Sequence, residues 1–162
     1  MKNILEEFKS KTPHYPNMYR ESILDRFSRK GGGSEEEKVG QGKYFANYYE
    51  CYIYAAMLGV RKNHRIPFNR SKEGTSFLVI EQWKPQVISE YIFLCLLTKI
   101  DTTLSELEDL DEDETNKKAN ELLHLLEEYA NGGFDLIKAR LAEQPHFFQD
   151  DAFGAVKFLN EE

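Results

Sequence analysis

Cysteine is scarce in this chain, with only Cys51 and Cys95 among 162 residues. No Cys-x-x-Cys pair exists, and the four histidines, His14, His64, His124 and His146, are scattered. The clustered ligands of a zinc site are therefore missing, and no metal or other cofactor is expected. Each cysteine lies in an apolar run, which predicts buried thiols, and the spacing requires no disulfide. Long apolar runs are missing too. The longest, Tyr91 to Ile100, has about half the length a bilayer-spanning helix needs. The first residues, MKNILEEFKSK, place Glu6 and Glu7 where a signal peptide needs an apolar centre. A cytoplasmic protein away from the membrane is the expectation.

Chemical motifs are also lacking. There is no Gly-x-Ser-x-Gly elbow and no His-Glu-x-x-His pair. The string Gly-Gln-Gly-Lys at 40–43 resembles the end of a phosphate loop, but Glu37 stands where that loop needs glycine. Tyr44 stands where it needs Ser or Thr, so nucleotide binding by this route is excluded. Asp109, Asp111 and Asp113 imitate the first ligands of a calcium loop. Glu114 replaces its central glycine and Asn120 its final glutamate, which leaves an acidic turn that favours a helix start.

What is present describes a helical body. Hydrophobic residues make up 41% and charged residues 30%, and the length suits one compact domain. Helical spacing is expected at Ile4–Phe8 and at Met18–Arg29, followed by a Gly/Glu-rich flexible loop at 31–43. Phe45, Tyr48, Tyr49, Tyr52, Ala55 and Ala56 form an apolar stripe, widened by Tyr44, Cys51, Tyr54 and Leu58. Such a helix belongs in the centre of a fold. Gly59 suits the left-handed residue that ends it. Phe77–Trp83 has the character of a short strand, with Ile66–Phe68 as an edge partner limited by Pro67. Pro85 suits the first turn of a helix burying Val87, Ile88, Tyr91, Ile92 and Cys95. Thr103 and Glu106 match a capping box. Ala119 to Ala130 is amphipathic, Asn131-Gly132-Gly133 can stop or bend it, and two further helices follow around Pro145. The expected fold is all-α, a single domain over residues 1–162 with room for one short strand pair.

Charge is lopsided. Residues 1–84 hold 15 Lys+Arg and 10 Asp+Glu, a net +5, whereas residues 85–162 hold 6 and 18, a net −12. Folding the halves together would neutralise part of this. One cluster stands out: Arg61, Lys62, His64 and Arg65, extended by Arg70 and Lys72. The helix macrodipole favours one or two cations after a helix C-terminus, at about 0.3–1 kcal/mol each, but not six in twelve residues. The surplus suits an acidic or phosphate-bearing partner. Aromatic interleaving of the single-strand-binding kind is missing from the loop, where only Phe68 appears.

The strings Tyr54-Ala55-Ala56-Met57-Leu58-Gly59, Arg61 to Arg65 and Ile66-Pro67-Phe68, followed later by Glu128-Tyr129-Ala130-Asn131-Gly132-Gly133-Phe134, carry a resemblance. Together they resemble a family of small bacterial proteins associated with DNA-phosphorothioation (Dnd) defence loci. The resemblance implies an accessory role beside DNA-modifying or restriction enzymes and brings no catalytic residue with it. The preferred expectation is a non-catalytic interaction protein, docking a protein or DNA through Arg61, Lys62, His64, Arg65, Arg70 and Lys72. Two alternatives stay open. One is a small hydrolase or nuclease using Glu50, Glu90 and His64, and the other is a homodimeric helical regulator.

Overall fold

The computed structural model describes residues 3–28, 44–150 and 154–161. The expected loop at 31–43 and Phe153 lie outside the described residues. Eight α-helices occur among the described residues. They are α1 (Ile4–Lys9), α2 (Tyr48–Arg61), α3 (Arg70–Glu73), α4 (Val87–Leu97), α5 (Leu104–Glu108), α6 (Glu112–Glu143), α7 (Phe147–Asp150) and α8 (Gly154–Asn160). Two three-residue strands, β1 (His14–Pro16) and β2 (Gly74–Ser76), pair into a minimal sheet. The fold is mostly helical, as expected. The strand pair lies elsewhere than expected. Phe77–Trp83 ends in a 3₁₀ turn at Ile80–Gln82, where the Trp83 indole donates to the Leu78 carbonyl at 3.2 Å. Ile66–Phe68 is irregular chain. The chain forms two compact units, Met1–His14 with Ser76–Glu127, and Tyr15–Thr75 with Glu128–Glu162.

In the first unit, α1 is fixed by a capping box between Asn3 and Glu6, and it turns Phe8 inward against Phe93 of α4, with ring centroids 5.6 Å apart. Phe8, Ile80, Trp83, Leu96 and Leu122 are fully buried there. Each such side chain contributes about 1.5–3 kcal/mol by leaving water. The Ile80 amide donates to the Lys11 carbonyl at 3.0 Å, tying the 3₁₀ turn to the end of α1. Glu127 is buried, and its side chain accepts the His14 amide at 2.7 Å, which gives a buried polar group a partner. The expected box of Thr103 and Glu106 caps α5. The acidic turn is a second such box, in which Asp111 and Glu114 exchange side-chain to backbone bonds of 2.8 and 2.9 Å at the start of α6.

Helix α4 faces otherwise than expected. It buries Ser89, Ile92, Phe93 and Leu96, while Val87, Tyr91 and Leu94 are 43%, 59% and 54% exposed. The helix is apolar all round, so its composition left its orientation open. Its first residue is Val87 and not Pro85, which follows Lys84 through a cis peptide bond.

The second unit is built on α2. Asn47 caps it by accepting the Glu50 amide, so the helix starts at Tyr48 rather than Tyr44. It buries Cys51, Tyr52, Ile53, Ala55, Ala56, Leu58 and Gly59, as befits an interior helix. Around it rings meet rings. Phe134 stacks on Tyr19 at 5.4 Å and touches Tyr52 at 6.2 Å, and Phe148 meets Phe27, Phe45 and Tyr54. The Tyr54 hydroxyl donates to the Ala155 carbonyl at 2.9 Å, and burial pushes its pKa upward. Residues 17–25 form a 3₁₀ turn and a π-helical turn where a regular α-helix was expected. Burial of Cys51 is complete, whereas Cys95, also expected inside, is half-buried, and both thiols are free.

Candidate functional site

The basic segment begins where α2 ends, and the end is not made by Gly59. Gly59 lies within the helix, and the left-handed residue is Asn63, with φ 49°. The His64 amide donates to the Gly59 carbonyl at 2.8 Å and the Asn63 amide to the Val60 carbonyl at 3.1 Å. These two bonds form a Schellman stop, with asparagine in the place that glycine more often takes. Gly59 serves a different purpose. A Cβ there would lie 2.1 Å from the Tyr129 carbonyl oxygen, so only glycine lets α2 and α6 meet backbone to backbone.

The second glycine-bearing string behaves in the same way. Asn131-Gly132-Gly133 does not stop α6, which runs unbroken from Glu112 to Glu143. Two helical glycines cost about 1 kcal/mol each relative to alanine. Close approach offsets that cost. A Cβ on Gly133 would fall 1.6 Å from the Ala55 carbonyl oxygen, and one on Gly132 would fall 2.0 Å from the His64 carbonyl oxygen. The basic loop is thus pressed directly onto the helix backbone.

Hydrogen bonds complete the grip. The Ile66 amide donates to the Glu128 carbonyl at 3.1 Å. The buried Asn131 side chain donates to the Ile66 and Pro67 carbonyls, each at 3.4 Å. His64 Nε2 lies 3.1 Å from Asp135 Oδ2. Glu128, Asn131, Gly132 and Asp135 follow the i, i+3, i+4, i+7 rhythm of one helix face. The two strings that look separate in sequence are the two halves of one contact.

The six basic candidates divide according to what holds them. Lys62 donates its ammonium to the Glu161 backbone carbonyl, and His64 pairs with Asp135. Arg70 is half-buried at the start of α3, whose N-cap is Asn69. Arg61, Arg65 and Lys72 are exposed and form no ion pair among the described residues. The acidic C-terminal part therefore engages part of the cluster and leaves the two loop arginines to solvent. Nearby, Arg140 binds the Glu161 carboxylate with two nitrogens and covers the rings of Phe147 and Phe158 at 5.0 and 4.3 Å. That bond raises the Arg140 pKa and holds the Glu161 carboxyl below the usual carboxylate range.

A family model described as DNA sulphur modification system-associated protein 4 matches residues 34–156. The chain belongs to that family. The matched residues include both strings and the whole of their contact. No curated protein and no solved structure matches the chain. Membership places this member beside a DNA sulphur-modification system, in an accessory role.

The three residues of the hydrolase alternative have separate surroundings. The Glu50 carboxylate accepts the Ala46 amide at 2.8 Å, Glu90 is exposed on α4, and His64 faces Asp135. No hydrogen bond or ion pair among the described residues joins any two of them. Among those residues no group of His, Cys, Asp and Glu could hold a metal ion, and no helix is long and apolar enough to cross a membrane.

Residue-by-residue reading missed Asn131, Gly132 and Asp135 as parts of this site. At 100° per residue Asn131 and Asp135 fall on the side of α6 opposite the apolar stripe of Leu122, Leu126 and Tyr129, so hydrophobic periodicity did not mark them.

Proposed function

We propose that the protein is a non-catalytic accessory subunit of its DNA sulphur-modification system, docking a partner through the loop that follows α2. The observation that carries this reading is the contrast within the loop. Its backbone is fixed by Gly132, Asn131 and Glu128, yet Arg61 and Arg65 stand in water without ion pairs among the described residues. A fixed loop loses little conformational freedom on binding, so its charges are available at low entropic cost. In this reading Arg61, Arg65 and Lys72 touch the partner. Lys62 and His64 hold the loop in place, and Arg70 supports α3.

The partner that fits best is an acidic protein surface. Three cations would neutralise few phosphates, and Phe68 is the lone aromatic of the loop, which offers little for stacking bases. The test is capture of the system's own proteins by the wild type and by the Arg61→Ala/Arg65→Ala variant, with DNA as a separate arm. Reduced protein capture by the variant supports the proposal. Equal capture removes the loop from consideration, and loss confined to the DNA arm reassigns the partner.

A further inference from the structure

The acidic turn has no part in the reading above, and it adjoins a groove. Within the first unit, Ile4, Phe93, Leu104, Leu107 and Leu110 line a groove of about 430 Å³, together with Glu108. Leu104 is 67% exposed, an unusual state for a leucine on the wall of a groove. From Glu106 to Glu114 seven of nine residues are acidic. Glu106, Asp111 and Glu114 are used in capping boxes. Glu108, Asp109, Glu112 and Asp113 are exposed and form no ion pair among the described residues. The sequence of this unit holds 7 Lys+Arg and 14 Asp+Glu, a net −7, whereas the other unit holds 14 of each. All of the protein's net charge therefore belongs to the unit that carries the groove.

We propose that this groove is a second docking surface, which takes the apolar face of a cationic amphipathic helix from a partner protein. Helix-in-groove recognition needs apolar anchors at helical spacing and a rim of opposite charge, and both features point to such a ligand. A second copy of this chain is a poorer occupant. Helix α4 shows an exposed apolar stripe at Val87, Tyr91 and Leu94 but contains neither Lys nor Arg, and it would bring no charge to answer the acids. The proposal does not depend on the Arg61–Arg65 loop.

The experiment titrates the full chain with two synthetic helical peptides of the same amphipathic pattern, one of Leu and Lys and one of Leu and Glu, by calorimetry. The Leu/Lys peptide should bind saturably at one site and the Leu/Glu peptide should not. Leu104→Asp should weaken binding about tenfold or more, as expected for an anchor. Glu108→Lys/Asp109→Lys should weaken it and reduce its salt dependence, and this second variant keeps the test open should the first fail to fold. Arg61→Ala/Arg65→Ala should bind the peptide like the wild type, which separates this outcome from that of the loop. Equal binding by wild type and folded Leu104→Asp would reduce the effect to general charge attraction and overturn the proposal. So would a protein that is dimeric in solution and becomes monomeric in Leu104→Asp, since the groove would then be filled by a copy of itself.

Discussion

A methyl group on Gly133 would lie 1.6 Å from the Ala55 carbonyl oxygen, well inside contact distance, and backbone cannot step aside as a flexible side chain can. Gly133→Ala must therefore part α2 from α6, and we expect a loss of roughly 3 kcal/mol or more, at or beyond the upper range of overpacking. Chemical denaturation checks this, and a variant as stable as the wild type would show that the helices do not touch there. The cysteines give a second test at this scale. Burial pushes the Cys51 thiol far above its ordinary pKa, and it is 0% exposed, so it should resist a maleimide until the protein unfolds. Cys95, half-buried, should react first in the native protein. Mass spectrometry of partially labelled protein reads the order directly.

At the scale of elements, the Arg140–Glu161 pair lies at the C-terminal end of α8. Glu161 has a folded pKa below its unfolded value of 4.5, so its contribution is fully present above that value and is lost as pH falls through the folded value. Amides of Gly154–Asn160 should thus exchange faster with solvent in the acid range than at neutral pH, after correction for intrinsic rates. Arg140→Gln should remove this pH dependence. Acid-insensitive protection in the wild type would contradict the assignment. Elements also show how legibility varied. Capping residues such as Thr103 and Glu106 act locally, so the sequence displayed them. The roles of Gly59, Gly132 and Gly133 were hidden, because a glycine that admits a distant carbonyl reads the same as one that breaks a helix. Helix α4 was legible as a helix but not in orientation, since apolar residues on every side leave no broad polar face to mark the outside.

For the whole molecule, the all-α class followed from the 3.6-residue rhythm of its apolar positions. The division into two units did not, because each unit joins segments far apart in sequence. The two strings that resemble the Dnd-associated family predicted the family correctly, and the structure gives them a shared physical reason. One supplies the loop and the other the helix face that grips it. The basic cluster was legible as a cluster, but its division into held and unpaired side chains needed Asp135 and Glu161, which lie 71 and 99 residues away from the residues they hold.

The most direct test is a salt-titrated equilibrium measurement with a captured partner of the modification system, run on the wild type and on Arg61→Ala/Arg65→Ala. Both substituted side chains are exposed and make no ion pair among the described residues, so the two proteins should melt at the same temperature. The account predicts affinity lowered about tenfold or more and a shallower dependence on salt in the variant. Unchanged affinity and an unchanged salt slope, in a variant that melts like the wild type, would contradict it.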